Sequence, residues 1–392
     1  MNILLLHPVA SWSLDRVAVV CEREDWQLTI VTIESSTVGE KAATLREWIR
    51  VPALSDDPRE LLGQIGERRF DAVVAGNEFA VIAADVLARE LGLFHNDVDR
   101  IRASRNKALM RAAFEEYGVP QPKVVARLDS AADRAGVAWD AVSFPVIVKP
   151  VDMAMSLFVR KCDSRAEVED TLERMSAFKL SRLTNYVFDT GALIEEFVDG
   201  PEYSLECVVQ DGEVVEHALT QKFNSPLPAC YETGHVSGAE IPPRHRQPLL
   251  DAVARIARSW GLSRGVMHVE FKMTDERLSI IEAAARPAGG HVPEIVELQH
   301  GLSLEEAFLF ARLGRDRPVA PRGPSGVRHG IRFHFQERSA TERPQSVEVV
   351  KVVHDDDGVV PGAEPFSVNR RTGYSILRSE SPEDLDRYIR VL

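Results

Sequence analysis

The sequence is poor in cysteine and in aromatic residues, and it has no long apolar run. Its 392 residues include four cysteines, and aromatic residues make up 7%. The cysteines lie far apart, at Cys21, Cys162, Cys207 and Cys230, so neither a disulfide framework nor a zinc site is indicated. No apolar run approaches the roughly 18 residues needed to cross a bilayer, and the first residues lack the features of a secretory signal. We therefore expect a soluble cytoplasmic protein without membrane contact.

The chain also carries an excess of negative charge. Lysine and arginine total 47 against 60 for aspartate and glutamate, which gives a net charge of −13. Such a charge repels phosphate backbones, so nucleic acid is not expected as a partner, although a local basic pocket can hold a nucleotide. Apolar residues make up 44%, which is ample for buried cores.

The order of apolar segments predicts an α/β and α+β multidomain fold. Over the first hundred residues, strands at 3–7, 28–33 and 72–75 alternate with helical patterns, which is typical of a parallel sheet covered by helices. A helix over 106–117 ends at a glycine and a proline. We predict four domains, at residues 1–100, 101–195, 196–315 and 316–392, the last a β-rich extension packing on the third. Residues 224–243 are predicted to form a turn-rich loop, and 315–328 a connector.

A β-hairpin over residues 265–285 is the most informative feature. Pairing about Glu276 places Glu270 opposite Glu282, with Cβ atoms about 4.5–5.5 Å apart. Two carboxylates so placed repel each other unless a cation bridges them, and such a pair suits Mg²⁺, which prefers carboxylate oxygens and substrate phosphates. A solvated polar face on a half-buried sheet is the alternative.

The same register places His268 opposite Ala284, with Arg286 one step further along that face. The opposite face is expected to point into a core and carries Met267, Val269, Phe271 and Ile281.

Two other segments indicate a ligand site. Residues 193–204 predict a strand, a turn and a new strand beginning at Glu202, and such a hinge suits the edge of an adenine ring, although turns of this kind are common without a ligand. Lys149 ends a buried apolar strand, and because lysine is rarely buried without a partner, we expect an anionic ligand there. Lys107 lies on a helix, where a solvated position is the alternative.

Taken in order, these segments resemble the ATP-grasp superfamily, and most closely its carboxylate–amine ligase branch, which includes L-amino acid ligases. The resemblance extends over roughly residues 1–315. It rests on Lys107, Val-Ile-Val-Lys149-Pro, Glu195-Glu-Phe-Val-Asp-Gly-Pro-Glu202, His268-Val-Glu270 and Ile-Glu282-Ala-Ala-Ala-Arg286-Pro. It implies an ATP-grasp fold with an N-terminal Rossmann-like preATP-grasp domain at 1–100, a lid subdomain within 101–195 and a catalytic subdomain at 196–315.

The resemblance also implies roles for individual residues. Lys107 and Lys149 would hold the phosphates of ATP, with Ser156 and Lys222 as further contacts, an exposed strand position being the alternative for Lys222. The adenine would lie against Glu195, Glu196, Phe197 and Val198, and the ribose would bind Glu202. Glu270 and Glu282 would bind Mg²⁺ or Mn²⁺, and Arg286 would hold the carboxylate or the acyl phosphate.

The implied reaction is ATP-dependent C–N bond formation between a small acid and an amine through an acyl phosphate. An ATP-grasp carboxylase using bicarbonate and a degenerate nucleotide-binding protein are the alternatives. Homodimers are common in the family, so a homodimer is compatible with the resemblance.

Two positions depart from the family pattern. Ala284 stands where an asparagine metal ligand is usual, so His268 either completes the metal shell or lies near the acyl phosphate. The lid loop at 151–157 lacks glycine, so we expect positive φ to be less accessible there. The segment Tyr231-Glu-Thr-Gly-His235 resembles a substrate-proximal element, with a surface loop as the alternative.

Overall fold

The N-terminal region of the computed structural model is a parallel sheet covered by helices. The model describes residues 1–38, 45–55, 57–132, 137–178, 187–188, 191–317, 326–335, 342–354 and 370–390. The strands pair in the order β3-β2-β1-β4, all parallel. The elements are β1 (Asn2–Leu6), α1 (Ser11–Arg23), β2 (Gln27–Ile33), β3 (Leu45–Val51), α2 (Pro58–Ile65), β4 (Ala72–Ala75) and α3 (Val81–Glu90). This is the parallel α/β arrangement that the alternation predicted.

A second sheet, which is antiparallel, follows the helix at Lys107–Glu116. Its strands pair in the order β5-β8-β6-β7. Helix α4 begins after Asn106, whose side-chain oxygen accepts the amide hydrogens of Ala108 and Leu109, and Gly118 follows it at φ +65°. The elements are α4 (Lys107–Glu116), β5 (Val124–Leu128), β6 (Val146–Pro150), β7 (Arg160–Cys162), α5 (Arg165–Ser176) and β8 (Ala192–Glu196).

The largest sheet has eight strands in the order β13-β12-β9-β10-β11-β14-β16-β15. Strands β14 to β16, from the C-terminal part of the chain, continue this sheet. The strands are β9 (Glu202–Gln210), β10 (Glu213–Asn224), β11 (Glu232–Ser237), β12 (Gly265–Met273), β13 (Leu278–Ala284), β14 (Arg328–Phe335), β15 (Val347–His354) and β16 (Arg371–Ser379). The helices are α6 (Pro243–Ser259), α7 (Val292–His300), α8 (Leu304–Arg312) and α9 (Pro382–Arg390).

The structure corrects one element and adds others. The predicted loop at 224–243 contains β11, which pairs with β10 and β14. Helices α1, α7 and α8 and strand β3 were not predicted. Most of the predicted connector at 315–328 lies outside the described residues, and the four domain boundaries stay a prediction.

The hairpin has the predicted register up to one bulge. Glu270 pairs with Glu282 and His268 with Ala284, as predicted. Beyond Glu270 the register shifts, so that Phe271 faces Ile280 and Ile281 is the extra residue of a β-bulge. The prediction that Ile281 points into the core is therefore wrong, because the bulge turns this residue toward the cavity described below. Met267, Val269 and Phe271 are fully buried, as predicted.

Helix α8 joins the N-terminal sheet to the large sheet. It packs against β4 on one side and against β9 and β12 on the other. At its end, the Arg312 guanidinium donates to the carbonyl of Val73 at 2.9 Å and lies 2.6 Å from the Asp85 carboxylate, with both side chains buried. The N-terminal sheet is thereby fixed against the strands that carry the candidate site.

Candidate active site

One cavity of about 810 Å³ contains every residue for which the sequence predicted a site role. This volume lies in the upper part of the range for small-molecule sites, about 300–1,000 Å³. All three sheets contribute to its wall. The predicted residues in the wall are Lys107, Lys149, Ser156, Glu195, Glu196, Phe197, Val198, Glu202, Lys222, His268, Glu270, Glu282 and Arg286.

The two opposed carboxylates of the hairpin have different basic partners. Glu282 lies 2.8 Å from Lys107 Nζ, whereas Glu270 is paired with Lys222 and lies 3.0 Å from His268 Nε2. These ion pairs offset the repulsion expected between the two acids. No group of three or more His, Cys, Asp or Glu side chains suited to a metal converges within the described ranges. The pair fits a magnesium ion, which takes its remaining ligands from phosphate and water.

His268 is held between two carboxylates. Its Nδ1 lies 2.7 Å from the fully buried Glu206, and its Nε2 lies 3.0 Å from Glu270. Although burial lowers the pKa of His268, the charges and hydrogen bonds of Glu206 and Glu270 raise it to about 10. These contacts place His268 beside Glu270, one of the two predicted metal ligands, and its place in the metal shell stays a prediction.

Lys149 has its acidic partner within the chain. Its Nζ lies 2.7 Å from Glu195, and Arg111 Nε lies 2.6 Å from the same carboxylate, with all three side chains buried. Burial, followed by the charge of Arg111, lowers the pKa of Lys149 to about 8. Burial would raise the pKa of Glu195, but Arg111 and Lys149 lower it to about 2. Glu195 thus orients Lys149 at the cavity wall.

At the predicted adenine hinge, residues 195–198, two backbone amides already donate hydrogen bonds within the protein. The amide of Glu196 donates to the carbonyl of Lys123 at 3.0 Å, and that of Phe197 donates to Pro145 at 3.3 Å. These two amides are already engaged within the protein, so an adenine edge would have to use Val198 and neighbouring carbonyls.

Lys222 is buried at the centre of three glutamates, so the alternative of an exposed strand position is wrong. Its Nζ is paired with Glu270 and lies 3.0 Å from Glu232 and 3.3 Å from Glu202. Burial alone would lower the pKa of Lys222, but these carboxylates raise it well above its ordinary value. Glu232 is the first residue of β11, so residues 232–235 lie in a strand that brings Glu232 and His235 to the cavity wall, and the alternative of a surface loop is wrong.

The lid loop adopts the backbone conformation that its lack of glycine led us not to expect. Met155, Ser156 and Phe158 have φ of 60°, 54° and 59°. Two contacts hold the loop against the start of α4: Lys107 donates to the carbonyl of Met153 at 2.7 Å, and Arg105, two residues before the helix, is paired with Asp152. These contacts offset the strain of a left-handed backbone.

Arg286 is tied to the N-terminal domain. Its Nε is paired with Glu78, which lies just before α3. Burial would raise the pKa of Glu78, but Arg286, Arg105 and Lys107 lower it. Neither Glu78 nor Arg111 was predicted from the sequence, although Arg111 follows Lys107 by four residues on one helix, a spacing that places both on the same face.

Comparisons with known proteins agree with this geometry. A family model described as an ATP-grasp domain matches residues 142–294. Alanine–anticapsin ligase of Bacillus subtilis (strain 168) is 24% identical over 74% of this chain and 66% of its own length. Dapdiamide A synthase of Enterobacter agglomerans is 28% identical over 60% and 55%, respectively. The crystal structure of L-amino acid ligase from Bacillus licheniformis has a TM-score of 0.76 at 19% identity, covering 99% of this chain and 96% of that chain.

Residues 142–294 are therefore similar to an ATP-grasp domain, and the structure has the multidomain α/β architecture that the sequence predicted. The predicted resemblance to the carboxylate–amine ligase branch is confirmed. The chain spans about two thirds, or less, of the length of the two curated relatives named above. Among the described residues, no helix is both long and apolar enough to cross a membrane.

Proposed function

We propose that the chain is an ATP-dependent carboxylate–amine ligase that joins an amino acid, or another small acid, to an amine through an acyl phosphate. The observation that carries the proposal is the single cavity in which Glu270 and Glu282 oppose each other beside Lys107 and Lys149. The relatives support it, since the two curated proteins are named as a ligase and a synthase.

The roles follow from charge and position. Phosphoryl transfer depends on alignment and on neutralising charge, which Lys107 and Lys149 would provide at the phosphates of ATP. Ser156 and Lys222 would add contacts there, the hinge would hold adenine, and Glu202 would bind the ribose. Glu270 and Glu282 would hold Mg²⁺ or Mn²⁺, which supplies Lewis-acid polarisation of phosphate oxygens when bound.

Arg286 would hold the acid substrate. A guanidinium matches a planar carboxylate with two parallel donors, and the ion pair with Glu78 fixes its direction. His268 would keep Glu270 in place through Glu206. The lid loop would exclude water, which otherwise hydrolyses an acyl phosphate.

The test is phosphate release from Mg-ATP in the presence of L-amino acids, supplied singly and in pairs. A ligase releases phosphate with an acid and an amine together, and with hydroxylamine as the amine it yields a hydroxamate that reports the acyl phosphate. Phosphate release that responds to bicarbonate instead would favour a carboxylase, and no release with any combination would favour a nucleotide-binding protein.

We further propose that the protein works in the cytoplasm, because its four cysteines are free thiols, as is usual in reducing compartments. A homodimer is compatible with the family resemblance, and light scattering would measure the assembly.

A further inference from the structure

One end of the cavity is built from parts of the chain that the proposed roles leave unused. We call it the β16 end. Strand β16 contributes Arg371 and Tyr374, the loop after β13 contributes His291, and helix α1 contributes Trp12. It adjoins the metal carboxylates, because Glu232, which lies 3.8 Å from Arg371, is 3.0 Å from Lys222.

Arg371 is partly buried, with 19% of its side chain exposed, and it has little neutralising contact among the described residues. Its Nη2 donates to the Glu232 carbonyl at 3.2 Å, and its Cζ lies 3.6 Å from the centre of the Phe333 ring. Its buried Nε has no hydrogen-bond partner in the described part of the chain. The nearest carboxylate, Glu232, is shared with Lys222 and with His235. Burial accordingly outweighs Glu232 and lowers the pKa of Arg371 to about 10.

The unused Nε donor, together with a single shared carboxylate at 3.8 Å, points to an anionic group on the substrate. A planar fork of donors fits a carboxylate in particular. In the proposed roles, the carboxylate that reacts lies against the transferred phosphate and is held by Arg286, which leaves Arg371 for a second carboxylate. A carboxylate on Arg371 is therefore one that survives the reaction.

Three rings stand beside this guanidinium. The centres of the Trp12 and His291 rings are 4.5 Å apart, and those of His291 and Tyr374 are 4.0 Å apart. Gly290, in the loop after β13, has φ +60°. The absence of a side chain lets this loop lie close to Glu232, since a Cβ at Gly290 would lie 3.4 Å from a Glu232 oxygen. The rings form a wall on which an apolar or planar side chain can pack.

We propose that Arg371 binds the α-carboxylate of the amine substrate, so that this substrate is an α-amino acid, with its side chain against Trp12, His291 and Tyr374. The inference rests on the proposed ligase function, in which the amine partner keeps its carboxylate when its nitrogen forms the amide. A simple amine lacks the group that Arg371 receives.

The experiment compares each L-amino acid with its carboxamide as the amine substrate, after the acid partner has been found by hydroxamate formation. Wild type should prefer the free acid by about tenfold or more in kcat/KM, as expected for a charge-assisted pair. Arg371→Gln should remove this preference through a higher KM for the amino acid, and Arg371→Lys should retain part of it. Arg378→Gln is the matched control, since Arg378 lies on the same strand, is half exposed and pairs with Glu348.

Three results would overturn the inference: a preference for the free acid that persists in Arg371→Gln, a wild type without that preference, or a rise in KM confined to the acid partner. The last would place a dicarboxylic acid on Arg371. Calorimetric titration of the same amino acids and amides provides a readout that does not need turnover. If wild type forms no hydroxamate, the ligase function fails, yet loss of amino acid binding in Arg371→Gln, with Mg-ADP binding retained, would still support a carboxylate site at Arg371.

Discussion

Each basic side chain predicted to contact a substrate has an acidic partner in the chain, so the cavity is close to charge balance. The pairs are Lys107 with Glu282, Lys149 with Glu195, Lys222 with Glu270, and Arg286 with Glu78. Phosphates entering this site compete with carboxylates for the same cations. A divalent ion held by Glu270 and Glu282 would offset the added negative charge, which makes the metal part of nucleotide binding as well as of catalysis.

The metal assignment predicts the outcome of Glu282→Gln. The amide keeps the shape of the side chain but loses the charge that a magnesium ion requires, so we expect phosphate release to be abolished and Mg-ATP binding to weaken about tenfold or more. Thermal unfolding should change little, because Glu282 is partly exposed. Glu276→Gln, in the exposed turn of the same hairpin, is the control and should behave as wild type. Near wild-type turnover in Glu282→Gln would contradict the assignment.

The lowered pKa of Glu195 predicts that the protein loses stability as the pH falls. Glu195→Gln leaves Arg111 and Lys149 as buried cations without their shared acid, so we expect a cost of about 3–5 kcal/mol at pH 7 by urea unfolding. The folded protein holds the pKa of Glu195 at about 2, below its ordinary 4.5. The unfolded chain therefore binds more protons between these values, and the contribution of Glu195, complete above pH 4.5, is lost as the pH falls toward 2. The difference between wild type and variant should narrow over this window; a constant difference would contradict the assigned pKa.

At the scale of elements, the sequence could predict what depends on local periodicity. The hairpin register followed from alternation about one turn, and it brought Glu270 and Glu282 together correctly. The bulge at Ile281 escaped prediction because its carbonyl accepts a hydrogen bond from Arg111, 170 residues earlier in the chain. Glu78 meets Arg286 across 208 residues, a contact that no local pattern reveals.

The lid loop gives a prediction about backbone strain. Met155 is 53% exposed and has φ 60°, a conformation that costs a β-branched residue most. We expect Met155→Val to lower the free energy of unfolding by about 1–2 kcal/mol relative to Met155→Gly. Met155→Ala separates the loss of side-chain contacts from the backbone effect and should fall between the two. Equal stability of the valine and glycine variants would mean that the loop relaxes to negative φ.

At the scale of the molecule, the site needs both ends of the chain. Glu78 and Trp12 come from the N-terminal domain, and Arg371 and Tyr374 come from the last strand of the large sheet. The motifs visible in the sequence lie in the middle of the chain, with the predicted nucleotide and metal residues, and none of them includes a role for these four. Substrate recognition is therefore the part of the function that depends most on how the domains are fixed together.

Substitutions in the buried pair of Arg312 and Asp85 would show how strongly this pair holds the N-terminal sheet to helix α8. Arg312→Met leaves the Asp85 carboxylate buried, with the amide of Asn96, at 2.8 Å, as its one remaining donor among the described residues, so we expect a loss of about 3–5 kcal/mol in urea unfolding. Adding Asp85→Asn removes the uncompensated charge and should restore much of that loss. Arg23→Met is the control, because Arg23 also contacts helix α8, through Glu306, but is half exposed. It should cost less than about 1 kcal/mol. If Arg312→Met costs no more than Arg23→Met, the first domain is held to α8 by apolar packing alone.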